Sequence, residues 1–279
     1  MKVTILGCGG AGGVPSLSDG YGRCNPDNPK NNRRRSSILV SDGHTTVLVD
    51  AGPDVRAQLL DAKVRHLDAV LFTHLHADHT HGIDELREIN RAMRKPLDAY
   101  ADAETFAALE SRFGYAFEGI EPGQPFFKPW LVAHDVGETM HDIFMLKTLQ
   151  VRAFRQDHGF STTLGLRFGD VVYSTDVLEL PDAAKDVIRG CALWIVDAFT
   201  DTPHPTHAHL EKTLGWIDEL KPKRAVITHM GPNLDYDAVN FKCPVGVTAA
   251  YDGMVIEVPS APKEPAIVPL ISGPPISEV

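Results

Sequence analysis

Leu71-Phe72-Thr73-His74-Leu75-His76-Ala77-Asp78-His79-Thr80-His81 decides the reading of this chain. Val70, Leu71 and Phe72 close an apolar strand, and ligand-type side chains begin immediately after it. His74 and His76 are two residues apart, so in extended backbone both imidazoles face one side. Asp78 and His79 follow where the chain turns into a helix, and they can face a second point nearby. Imidazole nitrogens and carboxylate oxygens are donors that suit Zn²⁺, Mn²⁺ and Fe²⁺. A solvated polar loop could also be rich in histidine. Here four histidines and an aspartate fall within residues 74–81 of a 279-residue chain that has 13 histidines in all, which points to a metal site.

Further out, other apolar strands also close on residues of this type. His158 ends Val151–Asp157, Asp176 follows Val171–Thr175, His229 ends Ala225–Thr228, and Asp50 ends Thr46–Val49. An Asx-turn at the strand end is an alternative role for Asp50.

The order His-x-His-x-Asp-His resembles the signature of the metallo-β-lactamase-fold hydrolases, and the resemblance extends over most of residues 1–258. It implies that His158, Asp176 and His229 are the third histidine, the bridging aspartate and the last histidine. One ion would then take His74, His76 and His158, and a second Asp78, His79 and His229, with Asp176 between them. Asp50 matches the family's first aspartate, which supports the ligands from behind. The implied cofactors are two divalent ions, Zn, Mn or Fe, which a ligand set without thiolates suits about equally. The implied chemistry is hydrolysis by a hydroxide readied between the ions, with Asp78 also acting in catalysis.

Composition narrows the partners. A formal net charge of −10 disfavours a nucleic-acid polymer, since proteins that bind one usually carry a basic face. No apolar run approaches the length of a membrane span, and Met1–Gly7 enters a strand without a signal-peptide pattern. Cys8, Cys24, Cys191 and Cys243 lie far apart with no CxxC spacing, the usage of reduced thiols in the cytoplasm. The expectation is a cytoplasmic protein acting on a small anionic molecule, with a homodimer among the allowed assemblies.

Near the start, strand Val3–Leu6 runs into Gly7-Cys8-Gly9-Gly10-Ala11-Gly12-Gly13-Val14-Pro15. Gly7, Gly9 and Gly12 satisfy the dinucleotide fingerprint, but Gly13, Pro15 and the polar stretch to Gly22 forbid the helix it must open. A loop whose backbone approaches the metal cleft fits better, and the segment resembles the opening of the family's phosphodiesterase branch. Arg33-Arg34-Arg35 follow in an irregular loop. They read either as a solvated charge cluster or as phosphate ligands through the guanidinium fork. Some relatives bind a structural zinc in this loop; Cys24 alone, with Ser36-Ser37 after the arginines, argues against one here.

Next come a hairpin (37–40 and 46–49 around Asp42-Gly43), helices over 55–62, 83–95 and 103–113, and a strand at 97–100. Residues 114–140 mix aromatics with glycine and proline, as a lid over the site or a loop with its own small core. His134 and His141 in that stretch are surplus to the ligand set. Strands at 146–154, 163–168, 171–174, 193–196 and 224–228 and a strand pair within 247–258 alternate with helices over 182–188 and 206–220. Two such β-rich halves predict an α/β (α+β) fold, a four-layer αββα sandwich with metals at one edge. The expected organisation is one domain, 1–258, and a Pro/Ser-rich tail, 259–279.

Pro203-His204-Pro205-Thr206-His207-Ala208-His209 places histidines at a helix start, capped by Asp201 or Thr206. In the phosphodiesterases and the related tRNA 3′-processing endonucleases a catalytic histidine stands three residues before the helix's first leucine, which implies His207, before Leu210. His209 is a further candidate for the substrate phosphate, beside Arg33, Arg34 and Arg35. The endonucleases carry a long arm that the short stretch from His158 to Asp176 cannot hold. The pattern therefore resembles most the phosphoribosyl cyclic phosphate phosphodiesterase branch and implies hydrolysis of a small cyclic phosphate or nucleotide-like diester. Two alternatives remain, a thioester or lactone hydrolase on the same ligands and a non-catalytic carrier in cofactor biosynthesis.

Overall fold

The computed structural model describes residues 1–137 and 142–259. The predicted tail from residue 260 onward and His141 lie outside the described residues. In the first half β1 (Lys2–Gly7), β2 (Ser37–Ser41), β3 (Thr46–Val49), α1 (Val55–Asp61), β4 (Ala69–Leu71) and α2 (Ala77–Thr80) precede α3 (Leu86–Met93), β5 (Leu97–Ala101), α4 (Ala103–Phe113) and β6 (Leu131–Asp135). The second half runs β7 (Ile143–Leu146), β8 (Leu149–Asp157), β9 (Thr162–Phe168), β10 (Val171–Ser174), α5 (Asp182–Ile188) and β11 (Leu193–Asp197). It ends with α6 (Leu210–Leu220), β12 (Ala225–Thr228), α7 (Tyr236–Lys242), β13 (Val247–Ala249) and β14 (Val255–Glu257).

Two seven-stranded sheets result, ordered β14-β1-β2-β3-β4-β5-β6 and β13-β12-β11-β10-β9-β8-β7. Both follow one pattern: three antiparallel pairings, then three parallel ones, with the change at β3 in the first sheet and at β10 in the second. The predicted strand pair near the end is not a hairpin. β13 joins the second sheet parallel to β12, and β14 crosses to the first sheet antiparallel to β1.

Strand alternation builds the layers. In β3, Val47 and Val49 enter the core shared with the second sheet, while Leu48 faces the other way, toward residues of α1, α3 and α4. Phe154, Phe168 and Trp194 of the second sheet belong to the same buried cluster, which also takes in Val187 of α5, Trp216 and Leu220 of α6 and Val239 of α7. The four-layer sandwich is therefore the observed fold.

Three local expectations are corrected. The helix over 83–95 begins as a 3₁₀ turn, Ile83–Glu85, and ends at Arg94 in a left-handed conformation (φ 54°). The helix expected from Thr206 starts at Leu210, so neither Asp201 nor Thr206 caps it, and His209 occupies the capping position without a side-chain hydrogen bond. The described part of the aromatic segment packs on the outer helices. Phe113 and Phe117 join the α1–α3–α4 core, Arg87 donates to the Phe127 carbonyl, and Asn90 donates to that of Trp130.

Two glycines fix the metal loop against the end of β3. A Cβ at Gly52 would stand 1.9 Å from the Asp78 carbonyl oxygen, and one at Gly82 2.0 Å from that of Gly52. The close approach allows Ala51 N–H to donate to the His79 carbonyl and Gly82 N–H to that of Ala51, both at 2.8 Å. Gly52→Ala is expected to lower the melting temperature by several degrees and to weaken metal retention, because backbone has to move. Gly215→Ala, in α6 with nothing within 4 Å of the added carbon, is expected to be neutral or to stabilise by ~0.5–1 kcal/mol. Thermal melts and metal analysis of the two variants check both outcomes.

Candidate metal centre

The predicted metal ligands His74, His76, His158, Asp176 and His229 arrive just after strand ends, and Asp78 and His79 from the short helix α2 that follows β4. His74, His76, His158 and Asp176 form one group and Asp78, His79, Asp176 and His229 another, each with ligand atoms within 4.8 Å of one another. Asp176 is common to both. Three strand-end positions, Asp50 (φ 64°), Asp176 (φ 51°) and His229 (φ 55°), take the left-handed backbone conformation. Asp and His are among the residues that tolerate it, and the chain turns there.

Asp50 is fully buried and accepts three hydrogen bonds: from Thr73 N–H (2.8 Å), Thr73 O–H (2.9 Å) and His79 Nδ1–H (2.7 Å). Because the Thr73 hydroxyl donates to Asp50, it accepts from His74 Nδ1, 3.0 Å away. The carboxylate thus orients His79 directly and His74 through Thr73, turning His79 Nε2 toward Asp78 and Asp176 and His74 Nε2 toward His76 Nδ1, 2.9 Å away. The expected Asx-turn alternative does not describe it. His158 is set in the same manner, donating Nδ1–H to the Thr206 carbonyl at 2.7 Å.

The charges suit a cation. His79 Nε2 lies 3.1 Å from Asp78 and 3.2 Å from Asp176, and His229 Nε2 lies 3.2 Å from Asp176. Both nitrogens are buried and without a hydrogen-bond partner. Burial pushes His79 down, but Asp176, Asp78 and Asp50 raise it well above the ordinary histidine value. Burial is likewise outweighed at His229, which Asp176, Asp197 and Asp78 push up to about 10. Asp78, despite burial, is held far below the usual carboxylate range by His79 and His229. Without another cation, only protons on these histidines balance the carboxylates. On the other side, burial and neighbouring histidines hold His74 well below its ordinary value, and burial lowers His158, which suits neutral nitrogen ligands. The donor set therefore fits divalent ions.

A cleft of about 340 Å³ opens over these groups, bounded by Ala11, His76, Asp78, His158, Phe160, Ser161, Asp176, Phe199, His204, Thr206, His207 and His229. His207 is brought to it as expected, and its Nδ1–H donates to Asp197 Oδ2 at 2.9 Å. The His207 ring stacks on His229 with centroids 4.9 Å apart. The glycine-rich loop also reaches the cleft: a Cβ at Gly10 would stand 2.7 Å from the Phe199 ring and 3.4 Å from that of His229.

The arginines and His209 do not reach it. Arg33 is buried and donates to Asn31 Oδ1 and the Leu234 and Gly231 carbonyls. Arg34 pairs with Asp61 at 2.6 Å, and Arg35 with Asp54 at 3.0 Å. Antiparallel pairing of Arg33 with Val14 turns this loop to fasten the glycine-rich segment instead of the substrate. Cys24 accepts from Arg33 and lies 3.4 Å from the Pro232 carbonyl, and His134 binds Asp98 at 2.9 Å.

Three contributors were missed from sequence: Thr73, Asp197 and Phe199. Asp197 had a visible signal, a carboxylate closing an apolar strand as Asp50 does. Its fully buried side chain accepts from His207 and Val177 N–H and stands 3.5 Å from His229 Nδ1. Burial raises it, but His207 and His229 bring it below its ordinary value, so it stays a carboxylate.

Asp50→Ala is expected to weaken metal binding about 10–100-fold at both ligand groups, the usual effect of losing a carboxylate behind a histidine ligand. Thr73→Val, which cuts only the relay to His74, should weaken binding less and at one group alone. Metal titration by calorimetry, read as one or two affected sites, distinguishes the two effects.

Residues 45–230 match the family described as Beta-lactamase superfamily domain. Coenzyme PQQ synthesis protein B of Methylococcus capsulatus is 34% identical over 92% of this chain and 99% of its own length. An octanoyltransferase of Porphyromonas gingivalis is 28% identical over 91% of this chain, which spans only about half (51%) of that relative. Among solved structures, a diphosphatase from the PhnP family superposes with a TM-score of 0.81 at 29% identity, over 91% of this chain and 96% of that one. With its histidines and aspartates gathered at one sheet edge, the chain belongs to the β-lactamase superfamily and has the metallo-β-lactamase fold, in which it is similar to the PhnP-family diphosphatase.

Proposed function

We propose that the protein hydrolyses a small phosphodiester, a cyclic phosphate or nucleotide-like molecule, at a centre holding two divalent ions. The observation that carries this reading is His207, held by Asp197 at the mouth of the ligand cluster with its second nitrogen left for the substrate. A ribose-type alkoxide is a poor leaving group and needs a proton, which thioester cleavage, expelling a thiolate, needs less. When bound, the ions supply Lewis-acid activation of water and neutralise phosphoryl charge. His74, His76, His158 and Asp176 would hold one and Asp78, His79, Asp176 and His229 the other. Asp197 holds the His207 ring through Nδ1–H, and His207 passes its Nε2 proton to the departing oxygen. Thr206 O fixes the His158 ring, and Asp50 keeps His79 from turning.

One observation favours a second reading. The residues that line the cleft include no lysine or arginine, which suits a neutral thioester or lactone as well as a singly charged diester. Likeness to the Methylococcus protein likewise supports a role in cofactor biosynthesis. Turnover of S-acylglutathione or a lactone without phosphodiesterase activity selects the former, and no hydrolysis at all the latter.

Manganese- or zinc-loaded protein is expected to hydrolyse at least one of 2′,3′-cyclic nucleotides, ribosyl 1,2-cyclic phosphate and bis(p-nitrophenyl) phosphate; inactivity toward all three removes the proposal. His207→Ala is expected to lower kcat about 10²–10⁴-fold on the ribose esters, the usual worth of a positioned acid. Its effect on bis(p-nitrophenyl) phosphate should be much smaller, because nitrophenolate leaves without a proton. Equal losses on both substrates would assign His207 to binding and not to proton donation.

A further inference from the structure

We propose that Phe160 is the surface on which a planar ring of the substrate stacks, so that the enzyme prefers phosphodiesters carrying an aryl or nucleoside group. The proposal rests on the phosphodiesterase reading above. Phe160 lies in the turn between β8 and β9, two residues after His158, and lines the cleft. Its backbone is held firmly. His158 N–H donates to the Ser161 carbonyl (2.9 Å), Phe160 N–H to that of His158 (3.1 Å), and Gly159 N–H to the Asp157 carboxylate (2.6 Å). Gly159 takes φ 80°, and a Cβ there would stand 2.5 Å from the Pro205 carbonyl oxygen. The turn is thus pressed against the loop that carries His204 and His207.

On this fixed backbone the Phe160 side chain is left 91% exposed, at the rim of a cleft whose floor is Asp78, Asp176 and His229. A second ring, Phe199, lies deeper in the same cleft, 4.9 Å from His207 and 6.0 Å from His229 between centroids. With Ala11 these rings make the apolar part of the lining, and no lysine or arginine stands among the residues that line it. Beyond the phosphoryl group, then, the cleft offers stacking and not charge. Stacking on an exposed aromatic side chain is tolerant of which base is present and insensitive to hydrogen-bond pattern. The favoured substrates are diesters with a single negative charge and a flat substituent.

The test compares KM for adenosine 2′,3′-cyclic phosphate and for ring-free ribosyl 1,2-cyclic phosphate in manganese-loaded wild type, Phe160→Ala and Phe160→Tyr. Phe160→Ala is expected to raise KM for the nucleotide about tenfold more than KM for the ring-free ester, and Phe160→Tyr to restore the wild-type ratio. Calorimetric binding of adenosine monophosphate and ribose 5-phosphate should show the same selective loss without turnover. An unchanged ratio in both measurements overturns the role of Phe160 and leaves the phosphodiesterase reading standing. If the wild type hydrolyses neither ester, no other 2′,3′-cyclic nucleotide and not bis(p-nitrophenyl) phosphate, that reading falls, and this proposal falls with it.

Discussion

Four buried carboxylates, Asp50, Asp78, Asp176 and Asp197, sit within reach of one another's histidine partners, and the rest of the site answers to their charge. Burying an ionised carboxylate is costly unless it is paired and hydrogen-bonded. Here the pairing falls to His79, His207 and His229, while backbone and hydroxyl donors from Thr73 and Val177 satisfy part of the remaining oxygens. The arrangement concentrates negative charge around nitrogen atoms that have no other partner. A cation is the complement that turns a costly cluster into a stable one. The same carboxylates also hold the rings in place, since Asp197 accepts from His207 Nδ1–H and stands 3.5 Å from His229 Nδ1.

The fold explains why these groups meet. Each sheet changes from antiparallel to parallel pairing at one strand, β3 in the first and β10 in the second. Asp50 follows β3 and Asp176 follows β10, both with the backbone in the left-handed region. The two aspartates therefore hold corresponding places in two halves of like topology. One place has become support behind the ligands and the other the shared ligand between the two groups. The inter-sheet core holds the strand ends in position, and it is built from alternating residues such as Val47 and Val49.

Charge is divided by location. Arg33, Arg34 and Arg35 spend their guanidinium groups on carbonyls and carboxylates that fasten the glycine-rich loop and α1. None of the three lines the cleft, whose apolar walls are Phe160, Phe199 and Ala11. The glycines serve the same end from the other side, since Gly10 leaves room for Phe199 to lie against His207 and His229.

Much of this was legible from residue order alone. Strand-end histidines and aspartates are local patterns: an apolar run of period two that stops on a ligand-type side chain declares both the strand and the direction of the ligand. The histidine-rich stretch at 74–81, the strand-end residues Asp50, His158, Asp176 and His229 and the two-sheet fold could be read in that way, while the family likeness supplied the grouping of the candidate ligands and pointed to His207. Other features depended on partners far apart in the chain. Arg33 reads as a phosphate ligand until Leu234, about two hundred residues later, is seen to take its charge. Thr73 and Asp197 matter only through hydrogen bonds to rings set by other strands, and Phe199 only through the space at Gly10. A residue type and its spacing determine what chemistry a side chain can perform. Which neighbour has first claim on that chemistry is decided by distance in three dimensions, and that is settled only when the sheets close on each other.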